Sequence, residues 1–169
     1  LNVADLRETD PVLDMVIQSA QTAGYPHNHD YNGAEQEGFG YYQTTMKEGR
    51  RVSTAKAFLH PVRDRPNLTV ETNAHVVKVI IEGHRAVGVE FKQRGQERRM
   101  HAGREVILAA GTVQSPQLLE LSGVGQPDRL RDQGIAVTHE LPGVGENLHD
   151  HYIVRLSFEL RGVRTLNER

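Results

Sequence analysis

The sequence lacks several features that would each point to a particular class of protein. Its 169 residues contain no cysteine, which excludes a disulfide framework, a thiolate metal site and a cysteine nucleophile. No apolar run approaches the roughly 20 residues that a membrane-spanning helix needs. Neither a G-x-S-x-G element nor a Gly-Lys-Ser/Thr phosphate loop occurs, so a serine hydrolase and a P-loop nucleotidase have no support.

The charge balance is close to neutral. Lysine and arginine total 20 against 22 aspartate and glutamate, a formal net charge of -2, whereas nucleic-acid-binding domains usually carry a clustered positive excess. We therefore expect no nucleic-acid partner. The hydrophobic fraction of 37% is too high for a disordered chain, and the first residues do not resemble a secretory signal. We expect a cytoplasmic protein.

The pattern of apolar residues predicts a mixed chain of the α/β (α+β) class. Apolar side chains at helical spacing predict an amphipathic helix over residues 10–23. Frequent glycine, proline and asparagine predict a long loop over 25–50. Ser53 suits the N-cap of a short helix that Pro61 would end.

Short strands are expected next. Turn residues separate apolar segments that predict a β-meander with one buried face, its strands at 68–70, 75–81, 86–91 and 98–101. The apolar run at 105–111 predicts a central strand covered on both faces, followed by a helix from about Ser115 with Pro116 in its first turn. Beyond this strand-helix unit we expect a short helix at 128–133, a glycine-rich turn at 142–145 and strands at 135–137 and 153–160.

Two groups of residues could carry chemistry. The strand end Ala109-Ala110-Gly111 is small enough for a ligand to approach the backbone, although such residues also permit tight helix–sheet packing. The histidine pairs His27/His29 and His149/His151 could bind a metal with a neighbouring aspartate, but ordinary polar loops also contain histidine. Both alternatives stay open at this point.

One long motif resembles a known family. Its sequence, Gly111-Thr112-Val113-Gln114-Ser115-Pro116-Gln117-Leu118-Leu119-Glu120-Leu121-Ser122-Gly123-Val124-Gly125, is similar to the second signature of the glucose–methanol–choline (GMC) oxidoreductases at every constrained position. Further segments that resemble the family lie at 32–33, 37–40, 49–55, 65–70 and 141–151. The choline-dehydrogenase-like branch looks closest.

The resemblance implies an FAD flavoprotein that oxidises an alcohol. In this family a histidine base takes the hydroxyl proton while hydride passes from carbon to the flavin. Val76 matches the valine whose backbone meets the adenine end of FAD, and Ala110 and Gly111 match the strand end beside the cofactor. Asp150 and His151 match the pair that leads to the flavin and substrate side. The family needs no metal, so the resemblance implies none here.

Two family elements have no match in this sequence. These are the opening βαβ unit with G-x-G-x-x-G and the C-terminal segment that carries the catalytic histidine. We therefore expect a central fragment of a GMC enzyme that cannot turn over alone and that contains no catalytic residue. The resemblance assigns 1–65 mainly to the substrate domain, 66–150 to the FAD domain and 151–169 to a return into the substrate-domain sheet.

The substrate side differs from that of the choline-oxidising members. Their glutamate, two residues beyond the Asp-His pair, faces the trimethylammonium group, whereas this chain has Ile153 there, after Tyr152. An isoleucine cannot supply that charge, so we expect a neutral primary alcohol as substrate and oxygen or a quinone-like molecule as electron acceptor. The alternatives are a non-catalytic binding module of the same fold and a metal-binding protein that uses the histidine pairs.

Overall fold

The computed structural model describes residues 1–163, which divide into two compact units. The N-terminal unit comprises Leu1–Val70 and the chain from Arg155 onward, and the second unit, called the meander unit below, comprises Glu71–Val154. Most of the buried apolar side chains of the described residues lie in the meander unit, whereas the N-terminal unit buries Ile17. No helix among the described residues is long and apolar enough to cross a membrane.

The main helix of the N-terminal unit is α1, Pro11–Thr22. The carboxylate of Asp10 accepts a hydrogen bond from the Val12 N–H at 2.9 Å, and proline occupies the first helical position, where its missing N–H costs nothing. Ile17 is buried on the inner face. The helix predicted over 10–23 is therefore confirmed.

The rest of the N-terminal unit is mostly irregular, as expected for 25–50. Two short strands, β1 (Met46–Lys47) and β2 (Arg50–Arg51), form an antiparallel pair. The short helix expected here forms as a π-helical turn, Ala55–Leu59, that ends at Leu59 as predicted, and a separate 3-10 turn, His60–Val62, follows and contains Pro61. Proline is accommodated because it stands at the start of a new helical turn, where no backbone donor is required.

The meander unit begins with three antiparallel strands. Strands β3 (Ala74–Glu82), β4 (Arg85–Gln93) and β5 (Gln96–His101) lie in the order β3-β4-β5. Val79 and Phe91 are buried on the sheet, whereas β5 is exposed along its whole length. Three of the four predicted strands of the β-meander are confirmed, and each is longer than the apolar pattern indicated.

The signature motif forms a helix and the strand that follows it. Helix α2 spans Gly111–Leu121, and β6 (Val124–Gly125) pairs in parallel with β7 (His139–Glu140). Helix α3, Pro127–Asp132, connects the two strands and confirms the short helix expected there. The buried apolar side chains of this part of the meander unit are Leu118, Val124, Leu130 and Val144.

The hydroxyl of Ser122 joins α2 to the meander. It accepts a hydrogen bond from the Val79 N–H at 2.8 Å and donates one to the Leu118 carbonyl oxygen at 2.6 Å. Strand β3 has a neighbour on one side only, so its outer edge would otherwise leave the buried Val79 N–H without an acceptor. Ser122 is 2% exposed, and its hydroxyl therefore fixes the end of α2 against the edge of the sheet.

The residue after this serine must be glycine. Gly123 has a φ of +83°, and a Cβ there would collide with the Ala136 carbonyl oxygen and the Thr138 hydroxyl. The Gly123 carbonyl oxygen accepts a hydrogen bond from the Thr138 N–H at 2.8 Å. This close approach places β7 beside β6.

Four predicted strands are absent from the described residues, at 68–70, 105–111, 135–137 and 153–160, and Gly111 of the second is the first residue of α2. Each was predicted from apolar residues alone, whereas a strand forms only with a hydrogen-bonded neighbour. At 105–110 no described strand lies alongside, and Ile107 is 77% exposed. The strand pairing expected at 135–137 occurs instead at His139–Glu140. Residues 164–169 of the predicted return segment 151–169 lie outside the described residues.

Replacing Ser122 tests this anchor. We expect Ser122→Ala to lower the free energy of unfolding by about 1–3 kcal/mol, because it leaves the buried Val79 N–H without its acceptor. The matched control is Ser19→Ala, since the Ser19 hydroxyl makes the same bond to a carbonyl four residues earlier (Met15, 2.7 Å) on the exposed face of α1. Its effect should stay within about 0.5 kcal/mol. Equal losses for the two variants in urea unfolding would contradict the anchoring role.

Candidate functional site

A cavity of about 280 Å³ lies between the first half of β3 and the helix α2. It brings together Val76 and Ala110, two of the residues predicted to contact a cofactor. Its full lining is Ala74, His75, Val76, Ala110, Gln114, Gln117, Leu118 and Leu121. The geometry of one strand and one helix therefore assembles the predicted pair from distant parts of the sequence.

The helix presents one face to this cavity. The four helical lining residues, Gln114, Gln117, Leu118 and Leu121, are spaced three or four apart and so lie on the same side of α2. The Ser122 anchor holds that side toward β3. The cavity wall is therefore a direct result of the bond between Ser122 and Val79.

The start of α2 differs from the prediction. The helix begins at Gly111 rather than near Ser115, and Pro116 lies inside it. Gly111 has a φ of +89°, with open space where a side chain would be, so the chain turns directly into the helix there. The Ser115 hydroxyl accepts a hydrogen bond from the Ala110 N–H at 3.1 Å, and this bond holds the incoming chain in place of the predicted strand.

The cavity lining is partly polar and includes the imidazole of His75. None of the described residues that line it is an aspartate, glutamate, lysine or arginine. The carboxamides of Gln114 and Gln117 can donate and accept hydrogen bonds, while Val76 and Ala110 provide apolar surface. Such a lining suits a neutral, flat part of a ligand that carries hydrogen-bonding edges.

A second and larger cleft, of about 620 Å³, lies along another side of α2. The glycine-rich turn at 142–145 forms one of its walls, which confirms the turn predicted there. The Arg129 side chain bridges two parts of this cleft. Its Nη1 donates a hydrogen bond to Glu120 at 3.1 Å, and its Nη2 donates one to Glu146 at 2.7 Å. The hydrogen bonds to Glu146 and Glu120 raise the pKa of Arg129 above its ordinary value, so the guanidinium stays protonated.

The structure does not bring Asp150, His151, Tyr152 and Ile153 into either of these spaces. All four are exposed, Tyr152 to 96% and Ile153 to 65%, and none of them lines the cavity or the cleft. Asp150 accepts a local hydrogen bond from the His151 N–H at 2.7 Å. Their assignment to the flavin and substrate side stays a prediction.

The histidine pairs lie apart in the chain. In the N-terminal unit the rings of His27 and His29 have centroids 3.9 Å apart beside a cavity of about 410 Å³. His149 lines the cleft of the meander unit. Within residues 1–163, no three histidine, aspartate or glutamate side chains are grouped as ligands of one metal ion.

Comparison with known proteins assigns the family. A family model described as "GMC oxidoreductase" matches residues 1–153. The chain belongs to the GMC oxidoreductase family. The resemblance of the signature motif to that family is thereby confirmed.

Relatives of this GMC chain include a choline dehydrogenase and an alcohol dehydrogenase. The chain is 50% identical over 151 residues to mitochondrial choline dehydrogenase from Mus musculus, covering 89% of this chain and 25% of the relative. It is 47% identical over 158 residues to "Alcohol dehydrogenase [acceptor]" from Pseudomonas putida, covering 92% of this chain and 29% of the relative. The chain thus spans between a quarter and three tenths of the length of these curated relatives.

Solved GMC-type structures share the fold. Pyridoxine 4-oxidase from "Mesorbium loti" superposes with a TM-score of 0.76 at 30% identity, over 83% of this chain and 28% of that protein. An FAD-dependent oxidoreductase from Chaetomium thermophilum gives a TM-score of 0.82 at 27% identity, over 88% of this chain and 26% of that protein. The predicted mixed α/β class and the GMC fold are confirmed.

Sequence reasoning missed three residues of this GMC site. Gln114 and Gln117 line the cavity, but the helix was predicted to begin near Ser115, so Gln114 was not placed on it and the spacing of the two glutamines gave no signal. Ser122 has no hydrolase motif around it and so gives no catalytic signal. Its position between the last helical leucine and a glycine marks a helix C-terminus, which could have indicated a structural hydroxyl.

Proposed function

We propose that this chain forms part of an enzyme that oxidises an alcohol to an aldehyde, with FAD as the hydride acceptor. The observation that carries the proposal is the cavity beside β3 and α2, which brings together Val76 and Ala110. Membership of the GMC family supports it, as do relatives whose names specify choline and alcohol dehydrogenases.

The residues around the cavity fit one part of FAD. Small-molecule sites have volumes of roughly 300–1,000 Å³, so a cavity of about 280 Å³ suits one ring system rather than the whole dinucleotide. Ala110 is small and Gly111 leaves open space, which allows a ring to approach the backbone closely. Gln114 and Gln117 offer amide groups to the edge of such a ring.

When bound, FAD supplies the electron chemistry. By the family resemblance, Val76 would hold its adenine end, Ala110 and Gly111 would lie beside it at the start of α2, and Asp150 and His151 would lie toward the flavin. The family's histidine base has no match in this sequence. In this proposal the hydroxyl proton is taken by a residue that lies outside these 169 residues.

The two units correspond to different parts of the enzyme. We assign 1–65 mainly to the substrate domain, 66–150 mainly to the FAD domain and 151–169 to the substrate domain again. The division of the described chain after Val70 and after Val154 supports boundaries near these positions.

The electron acceptor is oxygen or a quinone-like molecule. The name of one relative specifies oxygen, "Oxygen-dependent choline dehydrogenase", and that of another specifies only an acceptor, "Alcohol dehydrogenase [acceptor]". A cytoplasmic location is part of the proposal. The name of the mouse relative places that protein in mitochondria, so a mitochondrial location is the alternative, and cell fractionation tests between the two.

Anaerobic reduction tests the proposed function. The full-length protein that carries this chain, purified with FAD, is mixed with a primary alcohol in the absence of oxygen. We expect the absorbance of the oxidised flavin to be lost because hydride passes to FAD, and then to return when oxygen or a quinone is admitted. Bound FAD that no alcohol reduces would favour a non-catalytic module, and failure to bind FAD would contradict the proposal.

The substrate is an uncharged primary alcohol. Ile153 stands where the choline-oxidising members carry the glutamate that faces the trimethylammonium group. Moving a quaternary cation out of water requires a compensating negative charge or aromatic surface. An isoleucine provides apolar contact but no charge, so it favours an alkyl group over a cation.

Exchanging Ile153 tests this specificity. We expect Ile153→Glu to raise the ratio of kcat/KM for choline to that for a straight-chain alcohol by about tenfold or more, because one favourable charge contact contributes at least ~1.4 kcal/mol. Ile153→Leu keeps the size and should leave the ratio unchanged. Wild-type enzyme that already prefers choline would contradict the assignment of a neutral alcohol.

A further inference from the structure

Arg129 connects three elements of the meander unit. From α3 its two terminal nitrogens reach Glu120 on α2 (3.1 Å) and Glu146 at the end of the glycine-rich turn (2.7 Å). The planar guanidinium suits this role because its donors point in fixed, divergent directions. One cation thus holds two carboxylates from separate segments.

The beginning and the end of the turn are held differently. Its beginning is fixed by the backbone, since the Leu141 N–H donates to the Gly125 carbonyl oxygen at 2.9 Å, and by the buried side chain of Val144. Its end is closed by a backbone hydrogen bond from the Glu146 N–H to the Gly143 carbonyl oxygen at 3.2 Å, and the Arg129 and Glu146 side chains tie it to α2 and α3. A Cβ placed on Gly145 would lie 3.4 Å from Arg129 Nη1, which shows how closely the guanidinium packs against the turn.

The close approach of the Glu120 and Glu146 carboxylates depends on the positive charge of Arg129. Glu120 and Glu146 both face the cleft, and their carboxylates share one guanidinium. Without it, two like charges would converge in a partly enclosed space, and their repulsion acts to separate the turn from α2. Glu146 is the side that can move, because it lies on a loop whereas Glu120 lies on an anchored helix.

We propose that Arg129 is a positioning residue for the flavin side of the site. By neutralising Glu120 and Glu146 it sets the path of residues 147–151. This segment follows the turn and includes Asp150 and His151. His149 lines the same cleft as Arg129, so the segment 147–151 begins close to the ion pairs of Arg129 with Glu120 and Glu146. The inference rests on the proposed function, because it needs FAD beside Asp150 and His151.

The test compares two arginines on the same helix in the full-length protein. Arg129→Met removes the bridge, whereas Arg131→Met removes an equal charge from an exposed pair with Asp128 (2.8 Å, side chains 65% and 91% exposed). We expect the FAD dissociation constant of the apoprotein to rise roughly five- to tenfold for Arg129→Met, and less than about twofold for Arg131→Met. The absorption spectrum of the bound flavin should shift in the first variant only.

Two further variants separate positioning from general stability. Arg129→Lys supplies one cation that can reach one carboxylate, so it should restore part of the FAD affinity. In Arg129→Met/Glu146→Gln the repulsion is gone, and FAD should bind more tightly than to Arg129→Met alone. If Arg129→Met does not fold, Glu146→Gln carries the test by itself, with a smaller rise in the dissociation constant and the same spectral shift.

The outcomes distinguish this inference from the proposed function. If the wild-type protein binds FAD and is reduced by alcohol while Arg129→Met matches Arg131→Met in affinity and spectrum, the positioning role is overturned and the function stands. If the wild-type protein binds no FAD, the function fails and the inference fails with it. A fall in unfolding temperature for Arg129→Met with no change in flavin spectrum or affinity would also overturn positioning.

Discussion

The meander unit depends on the two hydrogen bonds made by the Ser122 hydroxyl. This hydroxyl lies between the Val79 N–H of an edge strand and the Leu118 carbonyl oxygen at the end of α2. An edge strand needs an acceptor for each buried donor, and a helix end needs partners for its last groups. A single buried hydroxyl serves both, so the helix has one allowed position against the sheet.

Two recessed surfaces of the meander unit follow from that position. One side of α2 faces β3 and encloses the cavity with Val76 and Ala110. Another side borders the cleft formed with the glycine-rich turn. The close contacts of Gly123 extend the same anchor to β6 and β7. The family signature is therefore a structural unit in which one face of α2 lines the cavity and Ser122, at its end, holds the helix in place.

The sequence predictions were correct where the structure depends on interactions between residues that are close together in the chain. Helix α1, helix α3 and the meander were predictable because caps, helical spacing and hairpin turns act between near neighbours in the chain. The strands expected at 105–111 and 153–160 were not, since a strand depends on a partner that its own residues do not specify. The family resemblance implied that Val76 and Ala110 each lie beside the cofactor, whereas their place in one cavity and the roles of Gln114 and Gln117 emerged only once α2 had a defined orientation.

The central claim is that the cavity beside β3 and α2 receives part of FAD. A crystal structure of the full-length protein with bound FAD tests it most directly. The account predicts that atoms of FAD lie in van der Waals contact with the backbone of Val76 and with Ala110 and Gly111, with Ser122 still bonded to Val79. FAD bound elsewhere, with no contact to Val76 or Ala110, would contradict the account.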